Sequence, residues 1–165
     1  VDPDHAGLHP VRELARGVVS AFRAAAQDKQ IELFLDIAQD TPPLVVIDSL
    51  RVRQVLFNLL ANAVRFTTHG GVRVRVSAQP TAADRVRLIF VVADTGAGMS
   101  RSQLALIFGR ERISFEGEGR GLGLAISLKL ARLMGGQLTA RSELGQGSMF
   151  QLTLEAQIAV ARSAA

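Results

Sequence analysis

The sequence lacks cysteine, tryptophan and tyrosine, and the missing cysteine alone removes several classes of function. Without cysteine there is no disulfide scaffold, no thiolate metal site and no cysteine nucleophile. No apolar run reaches the length of about 18 residues that a membrane-spanning helix needs. No basic stretch followed by an apolar one indicates a signal peptide. We therefore expect a cytoplasmic domain without direct membrane contact, whether or not a longer parent protein is membrane-anchored.

Lysine is also scarce, because only Lys29 and Lys129 among the 19 basic residues are lysines. A GC-rich genome accounts for so strong a preference for arginine. The arginines are spread along the chain, and aromatic residues do not alternate with them. A nucleic-acid interface would instead group basic residues on one face. Despite the net charge of +4, we therefore predict no nucleic-acid partner.

The chain has 165 residues, 48% of them hydrophobic, which fits one domain with a core of its own. It begins with Val1 rather than methionine, which indicates a piece of a longer protein. We expect residues 1–10 to be a linker from a missing dimerisation region. Residues 11–155 would form the domain, and residues 156–165 an Ala-rich tail or linker.

Hydrophobic periodicity predicts the order of helices and strands. Helices are expected over residues 11–28, 49–67 and 122–134, with a short one near residues 100–108. Strands are expected over residues 31–37, 44–47, 72–76, 86–93, 137–142 and 149–155, and the apolar strand 86–93 should be buried on both faces. Hairpin and adjacent connections favour a two-layer α/β sandwich, whose mixed, mostly antiparallel sheet is covered on one face by helices.

Helix 49–67 carries one narrow polar stripe among apolar residues, with Asn58, Asn62 and Arg65 at its end. A single asparagine there would be a tolerated solvent-facing residue. Two of them one turn apart are unusual on an exposed face, because asparagine is a poor helix former. Asparagine oxygens can ligate Mg²⁺, and arginine can meet a phosphate. The only acidic residue between positions 49 and 93 is Asp84, so no general base for hydrolysis accompanies the asparagines.

Glycines form three clusters. The first, residues 94–98, begins with Asp94, which either forms an ordinary turn or accepts a hydrogen bond from an amine such as adenine N6. The second, residues 117–123, opens a helix, where free N–H groups and the helix dipole suit phosphates. It matches neither the P-loop nor the dinucleotide fingerprint. The third, residues 145–148, would by itself be an ordinary β-turn.

Together these segments resemble the catalytic and ATP-binding domain of bacterial sensor histidine kinases. That domain belongs to the ATPase superfamily shared with DNA gyrase, the mismatch-repair ATPases and the large heat-shock chaperone. The resemblance extends from about Leu8 to Leu154 and implies a Bergerat-type ATP-binding fold. Its boxes, in the family's order, are residues 51–67 (N box), 94–98 (first glycine box), 107–108 (remnant of the phenylalanine box), 119–127 (second glycine box) and 145–148 (last glycine motif).

The resemblance implies ATP or ADP and Mg²⁺ as ligands, and it gives each box a role. Asn62 coordinates Mg²⁺ with Asn58 beside it, and Arg65 contacts phosphate. Asp94 recognises the adenine amine, and the segment from about residue 99 to 119 is a mobile lid. The remaining expected nucleotide-binding residues are Gly96, Gly98, Phe108, Gly119, Gly121, Leu122, Gly123 and Leu124.

Hydrolytic members of the superfamily carry a glutamate one turn before the metal-binding asparagine, where this chain has Asn58. We therefore predict a protein histidine kinase module that donates the γ-phosphoryl group of Mg-ATP to a histidine on a separate dimerisation domain. A response-regulator receiver domain would act downstream. His5, His9 and His69 do not fit the phosphoacceptor motif, so no autophosphorylation in cis is expected.

Three alternatives use the same fold. The lid looks short, a second phenylalanine is missing after Phe108, and Arg120 stands where a small residue is usual. These departures motivate a regulatory pseudo-kinase with weak or no ATP turnover. An ATPase machine and a serine kinase that inhibits sigma factors are both disfavoured by the missing glutamate.

Overall fold

The structure is a computed structural model that describes residues 6–109 and 120–159. Seven strands and five helices follow one another along these two segments. The strands are β1 (Ala6–Pro10), β2 (Glu32–Ile37), β3 (Leu44–Asp48), β4 (Gly71–Ala82), β5 (Arg85–Asp94), β6 (Gln137–Glu143) and β7 (Gly147–Ile158). The helices are α1 (Val11–Ser20), α2 (Arg23–Asp28), α3 (Ser49–Phe66), α4 (Arg101–Gly109) and α5 (Arg120–Leu133).

The strands form one sheet in the order β1-β3-β7-β5-β4-β2, and β6 also pairs with β7. Every pairing is antiparallel except that of β2 with β4. The long β4–β5 and β5–β7 ladders form the centre, so the carboxyl end of β5 lies beside the β6–β7 turn. The predicted mixed, mostly antiparallel sheet is therefore confirmed.

Helices α1, α3 and α5 cover one face of this sheet, which confirms the two-layer architecture. The inward-facing residues of β4 and β5, such as Val74 and Phe90, belong to one hydrophobic cluster with residues of these helices. On the opposite face of β5, Ile89 and Val91 are only half-buried. The prediction that this strand is buried on both faces was wrong, because no described helix packs on the second face.

The uncovered face of the sheet carries more arginine than the sequence indicated, because strand alternation places Arg73, Arg75 and Arg87 on the same side. Acidic residues lie among them. Arg75 pairs with Asp36, and Arg87 lies 3.4 Å from Glu155. The face is therefore mixed in charge rather than uniformly basic.

Both predicted flanking segments contribute to the sheet, which corrects part of the expected boundaries. Residues 6–10 form β1 on the sheet edge, antiparallel to β3, instead of a free linker. An edge strand accommodates Pro10, since its missing N–H need not join a ladder. At the other end β7 continues to Ile158, with Ala156 buried, into the expected tail. The connection of the first segment to a dimerisation region and the assignment of the last residues as an Ala-rich tail or linker stay predictions.

The predicted helix over residues 11–28 is divided into α1 and α2 at Ala21–Phe22. Phe22 has φ −107° and ψ 1°, outside helical values, and its ring centroid lies 4.7 Å from that of Phe57 on α3. The break therefore lets an aromatic side chain pack between the two helices. None of the helices in the described part of the chain combines the length and apolar composition needed to cross a membrane.

Candidate functional site

The second half of α3 lies beside the start of α5, and polar side chains join the two helices. Asn58 Nδ2 donates to Gly123 O at 3.3 Å and to Ser127 Oγ at 3.2 Å, and Asn58 Oδ1 accepts from Gln54 Nε2 at 3.2 Å. Ser127 is fully buried, and its hydroxyl donates to Gly123 O at 2.9 Å. The described hydrogen bonds of Asn58 therefore connect α3 to α5. Its role as a metal ligand stays a prediction.

Asn62, one turn further along α3, is buried, and its Nδ2 has no hydrogen-bond partner among the described residues. Its side chain faces the start of α5, where a Cβ added to Gly123 would lie 3.9 Å from Asn62 Nδ2. Asn62 is 9% exposed, and its Nδ2 contacts no acceptor among the described residues. Leaving a buried amide unpaired costs about 1–3 kcal/mol. Such an amide is a position that a bound ligand can satisfy.

An asparagine amide oxygen suits a hard divalent cation. An asparagine amide can present either its oxygen or its nitrogen to one position after rotation by about 180°. In residues 6–109 and 120–159, no group of three or more histidines or acidic residues is placed to hold a metal. A cation beside Asn62 would therefore take its other ligands from phosphate oxygens and water, as Mg²⁺ commonly does.

Arg65 lies in the last turn of α3 and is exposed. Its guanidinium carbon lies 5.9 Å from the centroid of the Phe66 ring. No acidic side chain pairs with it in the described part of the chain. The guanidinium is therefore available to an anionic ligand.

Asp94 ends β5 at the other side of the site. Its Oδ1 accepts from the Gly96 N–H at 2.8 Å, so the carboxylate does form the turn that its sequence context allowed. Burial raises the pKa of Asp94 above its usual value, and backbone hydrogen bonds from Gly96 and Ser148 oppose this shift. A partly desolvated carboxylate at a strand end is a strong acceptor for a donor on a ligand.

The segment after Asp94 packs so closely that two positions require glycine. A Cβ at Gly96 would lie 2.6 Å from Phe66 O, so this backbone contacts the end of α3 directly. Gly98 has φ +72°, and a Cβ there would overlap Glu143 O. Thr95 also links this segment to the α3–β4 corner, because its hydroxyl donates a hydrogen bond to His69 O at 2.8 Å.

The β6–β7 turn is more than an ordinary hairpin turn, because it supports the Asp94 segment. Gly145 N donates to Ala97 O at 2.7 Å, and Met99 N donates to Ser142 Oγ at 2.6 Å. Gly147 has φ +94°, and a Cβ there would overlap Asp94 O. The first and third glycine clusters are thus one packed unit, far apart in sequence.

The second glycine cluster differs from expectation in its boundary. Helix α5 begins at Arg120, two residues before the predicted start at residue 122, so Gly121 as well as Gly123 lies in its first turn. Glycine adopts loop and helical conformations about equally readily, so the glycines of this cluster do not mark the first residue of the helix. Leu124 is buried in the core at 5% exposure.

Several expected ligand-binding groups lie outside the described residues. Gly119 and the lid from residue 110 onward are among them. The backbone of Phe108 belongs to α4 and that of Leu122 to α5, but neither side chain is described.

Sequence reasoning missed three residues that hold the site together. Ser127 and Thr95 were passed over within their boxes, although Ser127 stands four residues after Gly123 and therefore on the same face of α5. Lys29, in the corner between α2 and β2, contacts the end of α3. No local pattern connects it to a helix 35 residues away.

Comparison with known proteins identifies the class. Residues 47–158 match the family described as Histidine kinase-, DNA gyrase B-, and HSP90-like ATPase. The chain belongs to this family, as the resemblance predicted.

Sensor histidine kinases are among the similar curated proteins. The sensor histidine kinase GacS of Pseudomonas protegens is 35% identical over 149 residues, which are 87% of this chain and 16% of GacS. The aerobic respiration control sensor protein ArcB of Escherichia coli is 40% identical over 137 residues, or 79% of this chain and 17% of ArcB. The chain thus spans about a sixth of these relatives and corresponds to a kinase catalytic module within them.

Solved structures agree with the fold. Full-length ShkA, crystallised in complex with AMPPNP, is 36% identical with a TM-score of 0.78, covering 94% of this chain and 32% of ShkA. The catalytic domain of the histidine kinase ThkA, in a nucleotide-free form, has a TM-score of 0.71 and is 22% identical. It covers 91% of this chain and 97% of that domain, and its likeness supports the fold alone.

Gly145 and Gly147 form a matched pair for testing the packing of the turn on Asp94. Both have positive φ, but only a Cβ at Gly147 meets a neighbour. We expect Gly145→Ala to lower the free energy of unfolding by about 1 kcal/mol through backbone strain alone. Gly147→Ala should cost clearly more, because it also displaces the Asp94 carbonyl. Urea denaturation measures both, and equal losses would contradict this packing.

Asp94→Asn should leave the ligand-free domain as stable as wild type or more stable at pH 7. Because burial raises the folded pKa of Asp94, its ionised form costs stability once the pH rises through that pKa. The advantage of the variant should shrink as the pH falls through the folded pKa and vanish below the unfolded pKa, where Asp94 is protonated in both the folded and the unfolded state. Thermal unfolding across pH tests this. Asp84→Asn, which removes the same charge in the exposed β4–β5 turn, is the control. If the stabilities of the two variants depended on pH in the same way, the destabilising effect of the buried Asp94 carboxylate would be refuted.

Proposed function

We propose that this domain binds Mg-ATP between α3, α5 and the end of β5 and donates the γ-phosphoryl group to a histidine on a separate dimerisation domain. The observation that carries the proposal is the buried, unpartnered amide of Asn62 facing the first turn of α5. Family membership and the likeness to histidine kinases support it. A receiver domain of a response regulator would accept the phosphoryl group next.

The adenine would lie against the end of β5. Asp94 supplies an acceptor for the exocyclic amine, and Gly96 and Gly98 keep side chains away from the base. The contacts of Thr95, Gly145 and Ser142 hold this segment in place before a ligand arrives. Such preorganisation lowers the ordering cost of binding.

The phosphates would lie between α3 and the start of α5. Free N–H groups of the first turn of α5 favour anions there, and Arg65 offers a cation. Asn62 would hold Mg²⁺, which neutralises charge on the phosphate oxygens when bound. Asn58 keeps the two helix segments at their spacing through Gly123 and Ser127.

Transfer to histidine is favoured over hydrolysis because no carboxylate accompanies the asparagines. Helix α3 contains no acidic residue, and Asp48 caps its opposite end by accepting from the Arg51 N–H. Water needs a general base to attack, whereas a neutral imidazole nitrogen attacks through its own lone pair. A bond forms from this nitrogen to the γ-phosphorus, the bond to the β–γ bridging oxygen breaks, and ADP leaves. Positioning and charge neutralisation supply most of the catalysis.

Nucleotide binding is tested by thermal unfolding with ADP, with and without Mg²⁺. Wild type should gain about 2.7 kcal/mol of stability when ligand reaches 100 times its dissociation constant. Asn62→Ala should lose the Mg²⁺ dependence, and Arg65→Ala should weaken binding at any Mg²⁺ concentration. Arg53→Ala, which removes another exposed arginine of α3, should leave binding unchanged. No stabilisation of wild type at millimolar Mg-ADP would refute the proposed site.

Phosphotransfer is tested with γ-labelled ATP and the purified histidine-bearing domain of the parent protein. Label should appear on that domain, be labile in acid and stable in alkali, and be absent when its histidine is replaced by glutamine. Little free phosphate should form without the acceptor. Nucleotide binding without transfer would support the regulatory pseudo-kinase, for which the departures around the lid are the motive. Rapid release of free phosphate would instead support an ATPase.

A further inference from the structure

We propose that Lys29 is a positioning residue, which holds the last turn of α3 and thereby the magnesium and phosphate end of the site. This inference rests on the proposed function. Lys29 lies in the corner between α2 and β2 and belongs to none of the motifs. Its ammonium Nζ donates to Val64 O at 2.6 Å and to Arg65 O at 2.9 Å.

The contact completes the hydrogen bonding at the end of α3. The last four carbonyls of a helix have no partner within it. Here Ala63 O accepts from the Thr67 N–H at 3.1 Å and from the Thr67 hydroxyl at 2.7 Å. The next two carbonyls accept from Lys29, which also places a cation at the negative end of the helix dipole.

The corner that carries Lys29 is itself fixed. Gln30 has φ +58°, and it is the only described residue other than glycine with positive φ. Lys29 N donates to Ala25 O at 3.2 Å, and Ile31 N donates to Ala26 O at 3.0 Å, which closes the end of α2. The adjoining strand is tied to the α3–β4 corner, since Glu32 N donates to Gly70 O at 2.9 Å. Hydrogen bonds therefore fix the backbone on both sides of Lys29.

The last turn of α3 is held from two sides. Lys29 contacts it from the α2–β2 corner, and the Gly96 backbone packs against Phe66 O. This turn carries Arg65, and Asn62 lies directly before it. Asp94 has a further support that does not involve Lys29, because Gly147 of the β6–β7 turn packs against the Asp94 carbonyl. Loss of Lys29 should therefore affect the phosphate end and spare the adenine end.

The test compares Lys29→Met with Lys29→Arg and with Lys129→Met, which removes the other lysine from an exposed position on α5. Calorimetry gives the dissociation constants of Mg-ADP, ADP without Mg²⁺ and adenosine, well below the unfolding temperature of each variant. Lys29→Met should bind Mg-ADP about tenfold more weakly, equivalent to about 1.4 kcal/mol, and bind adenosine as wild type does. Lys29→Arg should recover most of the affinity, and Lys129→Met should match wild type.

The outcomes separate this inference from the proposed function. Wild-type Mg-ADP binding that Lys29→Met leaves unchanged would overturn the role of Lys29 alone. Equal weakening of all three ligands would overturn it as well, because it would indicate a general loss of structure. Wild type without Mg²⁺-dependent nucleotide binding would overturn the proposed function, and the role of Lys29 with it.

A second measurement does not depend on the folding of a variant. With only two lysines, the ¹⁵N-lysine-labelled chain has two ammonium signals. That of Lys29 should exchange with water more slowly than that of Lys129 and should shift with Mg-ADP but not with adenosine. Equal exchange, or no shift at saturating Mg-ADP, would overturn the inference.

Discussion

The burial of α3 against the sheet is the constraint on which the rest of the structure depends. Apolar residues cover most of its circumference, and each large one withdrawn from water contributes about 1.5–3 kcal/mol. The helix must therefore contact the sheet, α1 and α5 at once. Its polar stripe is left along the seam with α5, where Asn58 finds Gly123 and Ser127 and Asn62 finds no described partner. The same packing that stabilises the domain thus leaves the Asn62 Nδ2 unpaired beside the start of α5.

Close backbone contacts also hold the segments of the site together. Gly96 against Phe66 O, Gly98 against Glu143 O and Gly147 against Asp94 O join α3, the end of β5 and the β6–β7 turn without intervening side chains. Side chains at these points would separate the three segments. Rigidity around the proposed adenine end therefore comes from missing Cβ atoms as much as from hydrogen bonds.

The site keeps two features that lower the stability of the ligand-free domain. Asn62 leaves a buried amide unpaired, and Asp94 keeps a carboxylate where burial raises its pKa. Both costs fall on the ligand-free domain, and both groups lie where the proposed nucleotide would contact them. Binding sites commonly retain groups that lower the stability of the free protein but contact the ligand.

The sequence by itself determined the helices, the strands, the antiparallel character of the sheet and the candidate residues, because periodicity and glycine clusters are local properties of a chain. It also pointed to the family through boxes that are each short and contiguous. It missed β1, whose place depends on the edge offered by β3, and it overestimated the burial of β5, which depends on which face the helices cover. Only the tertiary structure decided that Asn58 bridges two helices, that the last glycine turn supports Asp94, and that Lys29 holds the end of α3. Such contacts join residues tens of positions apart, and no local pattern encodes them.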